Sequence, residues 1–330
     1  MITKNSFITF FLVLLLVSLV PLGSINAESN SAKEELSTKK VMIDNVQVNV
    51  FDDGRIEGIK KPENLSMKQR KNILNLMNFT DDEIKQMPDD LQFEFISKGG
   101  VKVDTKIEDY VHIYTDLDGN DHIVTEENKK EIAQLRKNDL EKVATKLGLK
   151  AYPTDYSDEE VVDDIFWGYG YVILDGKTSN GVSYKYRYYT RFDWEERPWF
   201  YFVDSIAQTW QYHTATYDRP DGLYKVKVYS KSGKTIDTID VGLHDFDQSM
   251  VEGSRAKIDI ERHDGRHYGY LRNYVTVPVK HKGELGQFAS AYAHSHGFES
   301  ITITYRFLGF TFSGFGDKWS WKTRYEIGTD

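Results

Sequence analysis

Aromatic side chains alternate with charged ones along the C-terminal half of this chain, and this alternation constrains the fold more than any other feature. In one stretch, Tyr184, Tyr186 and Tyr188 fall on the same side of an extended strand. Lys185 and Arg187 fall on the other side. Because successive side chains of a β-strand point to opposite faces, this period of two predicts a strand with one buried face.

The same pattern recurs near the C-terminus, where Ile301, Ile303 and Tyr305 alternate with threonine and arginine. Glycine turns such as Asp264-Gly265 separate segments of this kind. Many short strands with glycine turns between them are typical of a β-sandwich or barrel. We therefore predict that residues 165–330 form an all-β sandwich domain.

The preceding part of the chain carries helix signals instead. Ser66 is followed three residues later by Gln69, and Thr80 is followed in the same way by Glu83. These are capping-box spacings, in which each side chain bonds to a free backbone N–H group of the other residue. Together with two predicted hairpins, the helices indicate an α-rich module over residues 41–150.

The first residues have the layout of a secretory signal peptide. Lys4 precedes an apolar run from Phe7 to Val20, and Ala27 offers a cleavage site. The run is shorter than the roughly 20 residues that a spanning helix needs, so we expect cleavage and not an uncleaved membrane anchor. The protein is therefore expected to be secreted, with extracellular partners.

These patterns predict the fold class α+β, with a small N-terminal helical module carrying β-hairpins, followed by an antiparallel, aromatic-rich β-sandwich. Five parts are expected along the chain. They are a signal peptide (1–27), a disordered lead-in (28–40), an α-rich module with two β-hairpins (41–150), an acidic linker (151–164) and an all-β sandwich domain (165–330).

Composition excludes several functions. The chain has 51 acidic and 42 basic residues, for a formal net charge of −9, and it has no cysteine. An acidic protein is a poor candidate for nonspecific nucleic-acid binding or for electrostatic docking on anionic lipid. A chain without cysteine has no disulfide and no thiol nucleophile. A long exported chain without disulfides is more typical of Gram-positive bacteria than of animal secreted proteins. The sequence also contains no G-x-S-x-G, H-E-x-x-H or phosphate-loop motif.

One segment matches part of a calcium-binding loop. Asp116, Asp118, Asn120 and Glu127 occupy positions 1, 3, 5 and 12, where such loops place oxygen ligands. Asp121 stands at position 6, where the loop needs glycine for a sharp turn. Calcium is the cofactor that this pattern predicts, and a plain β-hairpin with an Asp-Gly turn is the alternative.

Histidine pairs form a second candidate metal constellation. His294 and His296 are two apart and would share one strand face, while His263 and His267 flank a predicted turn. Imidazole pairs can bind zinc or copper, although two ligands do not complete a site. A solvated strand face or turn is the competing interpretation.

Neighbouring carboxylates were considered for glycoside hydrolysis, which requires two of them at a suitable separation. Glu195-Glu196 and the pair Asp245 and Asp247 are the candidates. In so acidic a chain such pairs also arise by chance.

The aromatic residues themselves provide the remaining candidate site. Rings with a polar edge can stack on sugar faces. Three segments are especially rich in such rings: 166–171, 194–202 and 310–321. The predicted ligand-binding residues are Trp319, Trp321, Trp199 and Tyr169. Packing of these rings in the core is the alternative.

Several stretches resemble exported proteins of Bacillus-type Gram-positive bacteria. They are TDDEIKQMPDDLQFEFISKGG at 80–100, WFYFVDSIAQTW at 199–210 and GQFASAYAH at 286–294. The resemblance covers under half of the chain. Those proteins are uncharacterised, so it implies no activity and no site residues.

The leading hypothesis is an exported noncatalytic protein that binds a glycan or wall polymer at the cell envelope through exposed aromatic residues. A membrane-acting or toxin-like protein is one alternative, because the alternating segment 300–315 could enter a membrane after oligomerisation. A secreted hydrolase that uses Asp245 or Glu195 is the other.

Overall fold

The computed structural model describes residues 38–146, 148, 166–198, 201–230, 232–297 and 301–328 of the chain. The predicted signal peptide and acidic linker, and most of the predicted lead-in, lie outside the described residues. In the parts that are described, no helix is long and apolar enough to cross a membrane. The described residues cluster as one compact unit.

Four α-helices occur in the described residues: α1 (Met67–Leu76), α2 (Asp81–Gln86), α3 (Asp89–Lys98) and α4 (Lys129–Lys146). Ser66 caps α1 and Thr80 caps α2, each through the reciprocal hydrogen bonds of a capping box. Both predicted caps are therefore confirmed.

Nineteen β-strands are found in the same described ranges. In chain order they are β1 (Thr38–Ile43), β2 (Val46–Phe51), β3 (Ile56–Glu57), β4 (Gly99–Lys102), β5 (Thr105–Thr115), β6 (Asp121–Ile123), β7 (Phe166–Lys177), β8 (Ser183–Trp194), β9 (Val203–Trp210), β10 (Ala215–Thr216), β11 (Asp221–Tyr229), β12 (Thr235–Asp240), β13 (His244–Ser249), β14 (Gly253–Asp259), β15 (Gly265–Pro278), β16 (Leu285–Ser295), β17 (Thr302–Arg306), β18 (Gly309–Ser313) and β19 (Gly316–Glu326).

The strands form two large antiparallel sheets and one hairpin. The first sheet has the order β1-β2-β3-β4-β7-β8-β15-β11-β12, and β10 pairs with β15. The second sheet has the order β13-β14-β9-β16-β19-β5-β6. The β17–β18 hairpin packs through Ile301 and Ile303 against small alanine side chains of β9 and β16.

Aromatic residues from both large sheets form the core between them. Tyr188 of β8 stacks on Phe288 of β16 at a ring-centroid distance of 4.7 Å, and Tyr186 meets Tyr325 of β19 edge-on at 5.4 Å. The predicted antiparallel, aromatic-rich β structure is confirmed, because the alternating tyrosines of β8 are the residues that fill this core.

The opposite face of β8 is also covered. Phe95 of α3 packs on Tyr171 and Tyr189 at centroid distances of 5.6 and 4.8 Å. Arg187, which the period-two pattern assigned to an open polar face, and Arg191, which lies on the same face of the strand, are each only 1% exposed. The expectation of a half-buried strand is therefore wrong for β8, since α1–α3 form a further layer on the first sheet.

A separate N-terminal helical module is not evident. β4 pairs with β7, and β5 pairs with β19, so strands from both sides of the predicted linker share the same sheets. The apolar stripes of α1–α3 are buried on first-sheet residues such as Tyr171 and Tyr189. The fold is mostly antiparallel β with a few helices, and the helices pack on that β structure because their apolar stripes need a partner surface.

Candidate functional site

A pocket of about 590 Å³ opens on the outer face of the first sheet, beside the C-terminal end of α2. We call it the aromatic pocket. Its lining consists of Gln86, Trp167, Gly168, Tyr169, Glu195, Tyr229 and Arg266.

Strand β7 presents the aromatic wall of this pocket through strict alternation. Trp167 and Tyr169 point outward and are half-buried, whereas Gly168 and Gly170 face the core. A Cβ atom on Gly168 would collide with the indole of Trp321. Glycine is therefore required on the inner face so that the second sheet can approach closely, while the outer face keeps large rings.

The two outward rings are set nearly at right angles. The centroids of Trp167 and Tyr169 lie 6.1 Å apart with an interplanar angle of 89°. Tyr229, at the end of β11, is 37% exposed and adds a third ring. Together they offer apolar ring faces and polar edges to the same space.

The charged floor of the pocket is built around Asp193, which is fully buried. Arg266 binds it with two hydrogen bonds of 2.7 and 2.6 Å, and Arg191 binds it with one of 2.8 Å. Two guanidinium groups around one carboxylate leave a positive charge in excess. Burial disfavours the charged form of Arg266 and so lowers its pKa. The hydrogen bond and the negative charge of Asp193 outweigh this effect and raise the pKa of Arg266 above its usual value.

The end of α2 completes the floor. The carbonyl oxygen of Gln86, the last residue of this helix, accepts hydrogen bonds of 2.7 Å from Arg191 and 2.9 Å from Arg266. Carbonyl groups at a helix C-terminus lack partners within the helix, so the two arginines satisfy one of them. This places the helix end and the two arginines in a fixed arrangement.

Arg191 also supports the wall. Its guanidinium carbon lies 4.3 Å from the ring centroid of Trp167, a cation–π contact. Arg191 is only 1% exposed, so this support is held in the protein interior. The indole of Trp167 is thereby positioned before any ligand arrives.

Tyr169 stays protonated at neutral pH. Burial raises the pKa of its phenol, and the charge of Glu83 raises it further. The group therefore keeps its O–H donor as well as its acceptor oxygen.

Of the carboxylates considered for hydrolysis, Glu195 lines the pocket and is exposed at its rim. The nearby Asp193 is buried, and its oxygens accept hydrogen bonds from Arg191 and Arg266. Asp245 and Asp247 lie elsewhere, on the exposed edge strand β13, where Arg255 contacts Asp247 at 3.0 Å. Glu196, the other member of the Glu195-Glu196 pair, is exposed but does not line the pocket, and Glu195 is the one carboxylate among the described residues that line it.

The predicted ligand-binding tryptophans of β19 are in the core. Trp319 and Trp321 are 4% and 1% exposed, and Trp319 stacks on Phe166 of β7 at 4.1 Å. The platform predicted from these two rings is therefore not at the surface, because β19 lies inside the second sheet and turns these residues toward the first. Trp199 lies outside the described residues, and Tyr169 lines the aromatic pocket.

The segment proposed for calcium forms the β5–β6 hairpin. Asp116 accepts hydrogen bonds from the backbone N–H groups of Asp118 and Asn120 at 3.0 and 2.8 Å, and from His122 at 2.9 Å. Burial favours its protonated form, but these hydrogen bonds lower the pKa to about 2. Asp118, Asn120 and Glu127 are exposed, and the described residues contain no cluster of three or more His, Asp or Glu that could hold a metal. The loop folds as the plain-hairpin alternative describes.

The His294 and His296 pair is buried and bound to carboxylates. Their ring centroids lie 5.0 Å apart, but His294 contacts Asp204 at 2.9 Å and His296 contacts Asp317 at 3.0 Å. Both histidines belong to a buried polar network and not to a solvated strand face.

Sequence reasoning missed most of the pocket. Trp167 lies within an aromatic segment that the sequence does single out, but Arg266 and Gln86 carry no local signal. They are 180 residues apart in the chain and meet only through the fold.

Comparisons with known proteins add little to this picture. No protein-family model matches the chain, and no curated protein matches it. Among solved structures, it is similar to a DUF4466 family protein from Parabacteroides merdae, with 14% identity and a TM-score of 0.23 over 46% of this chain and 44% of that one. The chain thus matches less than half the length of that protein.

Proposed function

We propose that the protein is an exported, noncatalytic binding protein that attaches to a glycan or wall polymer of the cell envelope through the aromatic pocket. In this proposal the two packed sheets are a β-sandwich scaffold that holds the wall and floor of the pocket. Export is inferred from the signal-peptide layout of the first 27 residues.

The observation that carries this proposal is the combination of two outward rings with a buried charged floor. Sugar rings have apolar C–H faces and hydroxyl edges, so they match a site with aromatic faces and polar groups fixed in position. Trp167 and Tyr169 supply the faces. Arg266 supplies planar donors that are already oriented by Asp193.

Pre-organisation favours binding by this pocket. Arg191 and Arg266 are fixed by Asp193 and by the carbonyl of Gln86, and Trp167 is fixed by Arg191. A site whose side chains are already ordered loses less conformational entropy when a ligand binds. A polymer ligand would therefore meet a formed site.

Co-sedimentation with purified cell-wall sacculi tests the proposal. We expect residues 28–330 to pellet with sacculi, and expect Trp167→Ala and Arg266→Gln to weaken the apparent affinity at least tenfold. Tyr229→Ala, at an exposed ring, gives a third variant with little risk to folding. The matched control is Tyr212→Ala, which removes an exposed tyrosine 78% accessible to solvent and outside the pocket lining.

The proposal is wrong if the unmodified protein stays in the supernatant, or if all three pocket variants pellet as it does. Loss of pelleting in the Tyr212 variant alone would also contradict it. Circular dichroism of each variant confirms that the fold is kept.

A further inference from the structure

One end of the second sheet carries a group of exposed apolar side chains on adjacent turns, which we call the apolar end. Its members come from the turns after β9, between β13 and β14 and between β17 and β18, and from the first residue of β16. They are Tyr212 (78% exposed), Met250 (67%), Val251 (48%), Leu285 (65%) and Phe307 (44%).

Hydrogen bonds hold these turns side by side. Thr209 at the end of β9 donates to the carbonyl of Glu252 at 2.5 Å and accepts from the backbone N–H of Leu308 at 3.2 Å. The amide of Gln211 donates to the carbonyl of Leu285 at 3.4 Å. The segments that carry the apolar side chains are therefore joined at one end of the second sheet.

The turn between β17 and β18 is built from residues that are unusual for its backbone. Phe307 and Leu308 have φ angles of 34° and 65°. A two-residue hairpin loop with positive φ at both positions normally contains Asn-Gly, because bulky side chains are unfavourable there. Phe307 is exposed in this strained turn, whereas Leu308 is partly buried. Backbone strain is often kept where a side chain has a function, and the exposed ring of Phe307 is available for contact with another phase or molecule.

We propose that the apolar end docks on the interface of a phospholipid bilayer. Turn tips that project separately can enter a fluid apolar phase, and their backbone groups are already bonded, as the contacts of Leu285, Met250 and Leu308 show. Tyrosine and arginine are suited to the membrane interface, where an apolar stem is buried and a polar head reaches water or phosphate.

Arg306 supplies the charge complementarity for the headgroups. Its side chain is 81% exposed, and Glu252 approaches it only to 4.0 Å. The guanidinium is therefore accessible to lipid phosphate, which it can bind through paired N–H groups. Because the chain is acidic overall, apolar insertion and not net charge provides the attraction, so docking should depend little on salt.

The apolar end and the aromatic pocket lie at opposite ends of the packed sheets. β16 runs from Leu285 at the apolar end to Ser295, and Tyr292 near its far end bonds to Trp194, which is followed by the pocket residue Glu195. A strand of 11 residues spans roughly 33 Å. The two surfaces are therefore separate, and the lipid proposal does not depend on the glycan proposal.

Flotation with phosphatidylcholine vesicles tests the proposal, with residues 28–330 as the protein. We expect the unmodified protein to float and the triple variant Tyr212→Ser, Met250→Ser, Phe307→Ser to lose at least tenfold in apparent vesicle affinity. The matched control removes exposed apolar groups elsewhere through Met42→Ser, Met67→Ser and Ile236→Ser, at positions 64%, 77% and 64% exposed. It should float as the unmodified protein does.

A second variant separates docking from folding. Phe307→Asn with Leu308→Gly relieves the strained turn, so we expect a higher Tm together with weaker flotation. Failure of the unmodified protein to float, or flotation of either apolar-end variant at the unmodified level, would overturn the proposal. Pelleting with sacculi should be unchanged in both variants, which distinguishes this surface from the pocket.

Discussion

Strands β7 and β19 both carry aromatic residues at alternate positions, and they use them in opposite ways. Trp167 of β7 points away from the second sheet and borders the aromatic pocket. Trp321 of β19 points toward the first sheet and occupies the space opposite Gly168. The alternation of aromatic residues therefore determines which side chains share one face of a strand. The layers packed around the sheet determine which of its faces is open to a ligand.

Removing the two rings in turn gives the largest expected contrast. Trp321→Ala should lower the free energy of unfolding by about 3–5 kcal/mol, because it leaves a cavity in the core. Trp167→Ala should lower the free energy of unfolding by at most about half as much, since its ring is half-buried. The same variant should bind the polymer at least tenfold more weakly. Urea denaturation of both variants measures the two losses of stability. Equal losses of stability would contradict the assignment of one ring to the core and the other to the pocket.

Adding one carbon atom at Gly168 tests the packing between β7 and β19 from the side of β7. Gly168→Ala should destabilise the fold by about 1–3 kcal/mol, because the new Cβ collides with the indole of Trp321. Gly297→Ala is the matched control, as its Cβ would meet only one atom, at an ordinary 3.5 Å. If Gly168→Ala unfolds at the same urea concentration as the control, then the packing described between β7 and β19 is incorrect.

Two adjacent residues of β15, Arg266 and His267, also differ in burial. The burial of His267 makes the stability of the fold depend on pH. Arg266 faces the pocket, whereas His267 is fully buried, with Nδ1 accepting from Tyr224 at 2.8 Å and Nε2 donating to the carbonyl of His263 at 2.9 Å. Burial lowers the pKa of His267 to about 4.

The unfolded chain takes up a proton at this histidine near its ordinary pKa of about 6.5, and the folded chain does so only near 4. Its contribution to stability is therefore complete above about pH 6.5 and is lost as the pH falls toward 4. Between pH 7 and pH 5 we expect a loss of about 1–2 kcal/mol from this group. His267→Gln should reduce the pH dependence of the unfolding free energy by that amount, and an unchanged dependence would show that the imidazole is not buried as described.

Local features of the fold could be predicted from the sequence. Ser66 and Thr80 cap their helices as expected, since a capping box involves residues only three apart. The tyrosines of β8 fill the core as their alternation indicates. Burial of Arg187 and Arg191 could not be predicted, because it depends on the helical layer. Their side chains reach the carbonyl groups of Gly99 and Gln86, which lie 88 and 105 residues away in the chain.

The candidate site shows the same limit. The aromatic content of its segment predicts Tyr169 as a pocket residue. The same reasoning fails for Trp319 and Trp321, because their strand lies inside the second sheet and both rings are buried. The spacing of Asp116, Asp118 and Asn120 fits a calcium loop, yet Asp116 is used by its own turn. Spacing describes which groups are near in the chain, and it does not show which donors already occupy them.

The carbonyl of Gln86 links the helical layer to the pocket, and this has a consequence for thermodynamics. Because Arg191 and Arg266 both bond to it, unwinding the end of α2 would release the floor on which a ligand rests. A ligand in the aromatic pocket would therefore oppose local unfolding of α2, and its binding energy would appear as slower amide hydrogen exchange in that helix. The short helix thus acts as a reporter of occupancy, although it contributes only a single carbonyl group to the site.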